Sequence, residues 1–255
     1  MATNPRHLRP ELTCLNKVVH YFAESTKSDP VYCMQVGAND GKTNDPVHPC
    51  IIRYGWESIL LEPDPHVFEH ELKQTYAGCE HVRLENLAIA PEKGYRSFYR
   101  LAFSKARWAT GLSSFNREHL ERQVHKGYAA SKAREHGDHL PANETDYIEK
   151  TKVRTDTFYG ILSRHGFDRL DVLCIDTEGY DYEVLKSFDF SSLRPRLVLY
   201  ESKDLSNEDF ASSLKLLGSH GYRLFWQKGD TMAVTFKIPF LKQMMFKTEA
   251  FLEKL

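Results

Sequence analysis

Val31-Tyr32-Cys33-Met34-Gln35-Val36 runs directly into Gly37-Ala38-Asn39-Asp40-Gly41. A short, mostly apolar run that stops at glycine suits a strand buried on both faces of a parallel sheet. Gly37 and Gly41 supply a tight turn and let a ligand touch the backbone. In an open α/β sheet the ligand crevice lies outside the carboxyl ends of the strands. A plain strand-to-loop glycine pair with no ligand has the same pattern, so the stretch decides the fold only if helices and strands alternate after it.

They do alternate. Residues 1–10 read as a loose arm, and apolar residues at helical spacing predict a helix over 11–24. Asp45 before Pro46 is a plausible cap for a helix over 46–54. A second strand, Ser58-Ile59-Leu60-Leu61-Glu62, ends at Pro63-Asp64-Pro65, and a helix is expected over 66–76. The third strand spans 81–90, and 95–103 alternates enough to be an edge strand. Residues 153–167 predict a helix capped by Thr155 or Asp156. A second buried-strand pattern, 170–176, breaks at Thr177-Glu178-Gly179, and a short helix follows over 180–188. The runs 197–201 (strand) and 207–218 (helix) come next. Alternating residues over 222–227 and 231–236, joined by Lys-Gly-Asp, predict an antiparallel hairpin.

Between these elements, 104–150 is polar, and over 104–140 it carries seven Lys or Arg against four Asp or Glu. It reads as an insertion or lid, and long irregular segments of this kind are often functional. Its histidines, His119, His125, His136 and His139, lack a convincing metal-ligand spacing, so a solvated helix is the better reading and no metal site is predicted there. Leu and Met residues in the tail 238–255 suit a terminal helix packed on the domain or on a second copy, which leaves a homodimer open. The organisation expected is one domain over 1–255, with an arm and helix over 1–28.

The bulk composition restricts the partners. With 255 residues and a net charge of −1, the chain has no global pull towards nucleic acid or anionic lipid. Five cysteines, none spaced CxxC, fit reduced thiols in a cytoplasmic protein better than a disulfide framework. The first residues lack the apolar core of a signal peptide, and no run approaches a membrane span.

The strand pattern predicts a doubly wound sheet with an antiparallel C-terminal hairpin. Two features disfavour a nicotinamide cofactor: the first loop is GxxxG, lacking the spacing that grips a pyrophosphate, and the hairpin puts an antiparallel strand at the sheet edge. A nucleoside without phosphates fits better. Glu62, 25 positions after Gly37, is close to the roughly 20-residue offset of a carboxylate that takes ribose hydroxyls. S-adenosylmethionine offers such hydroxyls, an adenine, and an amino-acid end for the Gly37–Gly41 backbone.

These residues carry a resemblance. VGANDG (36–41), LLEPDP (60–65), ENLAIA (85–90), SSF (113–115), RTDTF (154–158) and IDTEGYDYEVLKSF (175–188), in this order, resemble the FkbM-type methyltransferases over roughly 31–203. The last segment is the most specific. The resemblance implies a class I methyltransferase (Rossmann-like) fold. It also implies methyl transfer from S-adenosylmethionine, usually to a hydroxyl of a sugar, lipid or secondary metabolite. It places Gly37, Asn39 and Gly41 along the methionine end, Glu62 on the ribose, and Asn86 and Ala88 beside the adenine. Gln35 departs from the pattern, standing where an acid is frequent, and 104–150 exceeds the family minimum.

Methyl transfer is an in-line displacement whose leaving group is built into the cofactor, so the protein supplies alignment and a place for the acceptor proton. Asp176, Glu178 and Glu201 should converge at the ends of the later strands. Crowded acids raise at least one pKa, which favours a general base, and such a set could equally hold a divalent ion. Asp176 is the first candidate for base or ion ligand and Glu178 the second. Against these stand a helix-capping role for Glu178, an ordinary strand-end acid for Glu201, and simple N-capping for Ser113 and Ser114. Two other functions keep the same sheet: a nicotinamide-dependent oxidoreductase, and a non-catalytic binding module docking through its tail. Cofactor competition separates the first, and indifference to Asp176→Ala the second.

Overall fold

The computed structural model describes residues 15–227 and 229–239. The expected arm, the start of the first helix and the tail beyond 239 lie outside the described residues.

Ten strands carry the architecture: β1 (Tyr32–Val36), β2 (Glu57–Leu61), β3 (Val82–Glu85), β4 (Ala88–Ile89), β5 (Gly94–Leu101), β6 (Ile148–Asp156), β7 (Val172–Ile175), β8 (Leu197–Glu201), β9 (Arg223–Gln227) and β10 (Asp230–Val234). Seven form the main sheet in the order β3-β2-β1-β7-β8-β10-β9. β3, β2, β1, β7 and β8 run parallel, and β10 pairs antiparallel with both β8 and β9. This is the doubly wound sheet with a closing hairpin that the sequence predicts. The order reverses between β1 and β7, which puts the ends of those two strands, Val36 and Ile175, side by side. A crevice is expected at such a switch point.

The central parallel strands β2, β1, β7 and β8 are mostly apolar because each feeds two cores, while β3, VRLE at the sheet edge, is half-exposed throughout. Cys33, Leu60, Cys174 and Leu199 face the helices Leu15–Ser25 and His48–Tyr54, where Val18, Phe22 and Ile51 are buried. Met34, Ile59, Leu61, Leu173 and Val198 face the opposite layer, which includes Phe158, Ile161, Phe210 and Leu217. Strand side chains alternate between faces, so a strand covered on both sides needs apolar residues at every position. The described cysteines are free.

Two local expectations are corrected. The run 81–90 is not one strand. It breaks after Glu85, and β4 leaves the main sheet to pair with β6. Asn86 makes the break, its Nδ2 donating to the carbonyls of Glu62 (2.8 Å) and Pro63 (3.1 Å). The helix expected over 153–167 begins later, at Phe158, and ends at Arg164. Residues up to Asp156 are strand, because β6 pairs with β5 over Ile148–Thr155 and with β4 at Thr155 and Asp156, in a small sheet ordered β4-β6-β5. Thr151, Val153 and Thr155 give it a β-branched, alternating character. Thr157 caps the helix, its side chain accepting from the Gly160 N–H at 3.0 Å.

The insertion grows out of this small sheet, between β5 and β6. It holds the helices Arg107–Thr110, Arg117–His125 and Tyr128–His136, packed through Leu112, Leu120 and Val124.

Candidate functional site

Gly37 is forced by its neighbour. A Cβ placed there would lie 1.8 Å from the Asp176 carbonyl oxygen, and its φ of +82° is a conformation L side chains rarely adopt. Glycine at this point lets the β1 loop and the β7 loop close on one another. The loop that follows has its N–H groups turned inward. Gly37 and Ala38 donate to the Leu61 carbonyl at 3.0 and 2.9 Å, and Asn39 donates to Glu62 Oε2 at 2.9 Å. Asp40, itself buried, accepts from the N–H groups of Lys42 and Thr43. With these donors engaged, the loop does not form the ring of N–H groups that a pyrophosphate needs. Arg107, from the insertion, clamps the loop from outside: Nε donates to Asp40 Oδ2 (3.1 Å) and Nη2 to the Thr43 carbonyl (2.7 Å). Burial pushes the Asp40 carboxyl up, but the Thr43, Lys42 and Arg107 donors outweigh it and leave it low.

A cavity opens beside this loop. Gly37, Asn39, Glu62, Asp176 and Glu178 line its polar side. Ala88, Ile89, Phe98, Phe115 and Val184 line its apolar side. Phe98 and Phe115 meet edge to face at 5.4 Å, closing it from the small sheet and the insertion. Glu62 is deeply buried and accepts at both oxygens, from Asn39 N and from Asp64 N (2.7 Å). Burial nonetheless pushes it up to about 8, against the pull of these two donors. Ser113 Oγ and Thr177 Oγ1, also in the cavity wall, are buried and hydrogen-bond to nothing. Unpartnered buried hydroxyls beside a carboxylate and an apolar slot fit a nucleoside with its own polar groups.

Asp176 and Glu178 also form the wall of a second cavity, on the far side of the β7 loop. Its other polar residues include Glu201, Lys203 and Asp230, and Arg107 borders both spaces. Lys203 Nζ donates to Glu201 Oε1. Asp230 pairs with Glu201 across the β8–β10 ladder. Burial is the leading cause that raises every acid here. For Glu178, Glu201 and Asp176 add like-charge repulsion, so it is raised furthest. Glu201 is raised against the pull of Lys203. Asp230 goes to about 6. Asp176 and Asp230 are the ones open to solvent, and the protein around the cleft still raises both.

The turn between β7 and its helix is organised by Asp181. This fully buried side chain accepts from Thr177 N and Gly179 N, both at 3.2 Å. The capping role that competes with a site role for Glu178 is not taken by it: Tyr180 stands at the N-cap of the helix Asp181–Lys186, and no side chain caps that end. Glu178, at φ +50°, turns its carboxylate into the cleft wall. Ser114 ties the insertion to the same turn, donating to the carbonyls of Thr177 and Glu178. Asn116, not Ser113 or Ser114, caps the next helix, its Oδ1 accepting from His119 N.

Of the sequence candidates, Gly37, Asn39, Glu62, Ala88, Asp176 and Glu178 meet at the first cavity. Gly41 and Asn86 stand behind it. A Cβ on Gly41 would strike Leu72 and Tyr76 at 2.6 Å, and Asn86 braces the Glu62–Pro63 backbone. Gln35 is buried behind the loop and donates to Asp45 Oδ2 at 2.8 Å. Arg107, Phe98, Thr177, Lys203 and Asp230 join the site without any sequence signal that singles them out. The DxE spacing 176–178 shows only that something sits at the strand end.

Comparison with known proteins adds the following. A family model described as the methyltransferase FkbM domain matches residues 35–224. No curated protein sequence matches the chain. Among solved structures, the METTL16 MTase domain is similar with a TM-score of 0.43 and 9% identity, covering 87% of this chain and 66% of that one. The N-terminal domain of human METTL16 in complex with SAH is similar at 0.40 and 11%, covering 87% and 68%. A precorrin-6y C5,15-methyltransferase from Geobacter metallireducens is similar at 0.38 and 9%, covering 84% and 86%. The chain thus spans 66% of the length of the first of these domains.

Proposed function

Because the chain belongs to the FkbM methyltransferase family, we propose that it moves a methyl group from S-adenosylmethionine to a hydroxyl of a small-molecule or glycan acceptor. The observation that carries this reading is the shared wall: Asp176 and Glu178 border both the cavity of Gly37 and Glu62 and the cavity of Glu201 and Asp230. A donor on one side and an acceptor on the other would meet at these two carboxylates.

S-adenosylmethionine supplies a methyl group already activated on a sulfonium. The rest is the work of this chain. Glu62 accepts the ribose hydroxyls with the lone pairs that Asn39 N and Asp64 N leave free. Ala88, Ile89, Phe98 and Phe115 hold the adenine by apolar contact and exclude water from it. The loop at Gly37 and Asn39, with its N–H groups turned inward, presents backbone carbonyls to the ammonium of the methionine end. Asp176 would take the acceptor's hydroxyl proton on a carboxylate oxygen as that hydroxyl oxygen accepts the methyl group. The protein packed around its cleft raises its pKa to about 6 although its surface is exposed, which suits a base working near neutrality. Glu178 orients the acceptor beside it.

Thermal unfolding tests the reading. The demethylated cofactor is expected to raise the Tm, and Glu62→Ala to remove most of that rise. No stabilisation by S-adenosylmethionine or its demethylated product, far above micromolar concentration, overturns it.

A further inference from the structure

Glu178 stands between two sets of groups. On the cleft side, carboxylate oxygens of Asp176, Glu178 and Glu201 lie within 4.8 Å of one another. On the inner side, His119 Nε2 is 3.5 Å from Glu178 Oε2, and His119 Nδ1 is 3.9 Å from Asp204 Oδ1. His119 has no exposed surface, and neither ring nitrogen makes a hydrogen bond. A fully buried imidazole without a hydrogen bond is costly, so its aim at Glu178 demands a reason. Glu201 Oε2 is likewise buried and unpartnered. The basic side chains facing the cluster are Lys203, which reaches Glu201, and Arg107, which is engaged by Asp40. Against them stand Asp176, Glu178, Glu201, Asp204 and Asp230, an excess of negative charge of which Asp176 and Asp230 are exposed and the other three are half-buried or buried.

We propose that Asp176, Glu178 and Glu201 hold one hard divalent cation of the Mg2+ or Mn2+ kind. His119 backs Glu178 from the protein side and fixes the orientation of that carboxylate. Carboxylate oxygens from one side, with positions left open on the other, are what such a cation accepts, since it keeps several water or substrate oxygens. The open positions face the second cavity, where an acceptor hydroxyl would take one of them. The role towards the acceptor rests on the methyl-transfer reading, but the cation site itself does not.

The test uses the protein alone, without donor or acceptor. Mn2+ is titrated in and followed by electron paramagnetic resonance and thermal unfolding. A single saturable Mn2+, a higher Tm and displacement by Mg2+ are expected. Glu201→Gln should weaken Mn2+ binding by roughly tenfold or more, since even outer-shell partners cost about that much. It should leave the Tm rise from the demethylated cofactor in place. Asp176→Asn, on the open side, should give the same loss and guards against a folding defect in Glu201→Gln. His119→Gln should cost less than either. Absence of saturable Mn2+ binding, or binding that both carboxylate variants leave intact, overturns the proposal. So does binding lost in His119→Gln and Asp204→Asn but kept in Glu201→Gln, which would assign the ion to the histidine side. Failure of the methyltransferase reading would appear separately, as no response to the demethylated cofactor whatever Mn2+ does.

Discussion

Glu62 is a carboxylate held by two backbone N–H groups inside a space that disfavours its charge. Burial wins, and its folded pKa of about 8 stands above the ordinary 4.5. The cofactor-free folded protein therefore keeps a proton that the unfolded chain releases between about pH 4.5 and pH 8. Stability must fall as pH rises through that window, with Glu62 contributing at most roughly 1.4 kcal/mol per pH unit. Asp230 and Asp176 slope the same way, so the measurement is a comparison. Chemical unfolding of Glu62→Gln across this window should start less stable, because one N–H loses its acceptor, and should decline less steeply than the native protein. The residues that the sequence made legible are those whose neighbours are fixed by strand order. Gly37, Glu62 and Asp176 end adjacent strands, so any parallel sheet of this kind brings them to one edge. His119 and Asp204 were not legible, because they meet only through the packing of an inserted helix against a loop far along the chain. Gly41 and Asn86 carry the motif's spacing, yet the contacts they make are with Leu72, Tyr76 and the Glu62–Pro63 backbone.

At the scale of elements, the main sheet was readable and the small one only in part: the alternation over 95–103 marks its edge strand β5 (Gly94–Leu101), while the end of β6 reads as the start of a helix. Four apolar parallel strands, β1, β2, β7 and β8, announce themselves by composition, and the hairpin by its alternation. The small sheet's other two members are a two-residue strand, β4, and the half-exposed β6, which local pattern does not separate from the preceding strand or from a helix. That sheet matters because it carries the insertion, and the insertion is fastened to the β1 loop by Arg107. Arg107→Ala leaves buried Asp40 with its Thr43 and Lys42 donors and without a cation. The expected loss of stability is about 1 kcal/mol, in the range of a charge-assisted hydrogen bond to a half-exposed partner. Hydrogen exchange of the amides over 40–44 should quicken, and the demethylated cofactor should bind more weakly. Unchanged exchange there would mean that the loop holds its shape without the clamp.

Across the whole molecule, the sheet supplies a rigid edge and the inserted segment supplies a cover for one half of it. Among the described residues, no helix is long and apolar enough to cross a membrane. The two cavities divide the labour: one is bordered by the early strands and the cover, the other by β8, the hairpin and the first helix. Asp176 and Glu178 are the partition. A partition with a space on each side has a kinetic signature, because neither reactant must leave before the other arrives. Initial velocities should yield intersecting double-reciprocal lines. The demethylated product should compete with the methyl donor yet act as a mixed inhibitor towards the acceptor. Parallel lines would instead point to a relay through the protein, with the two carboxylates serving as a way station rather than a shared threshold.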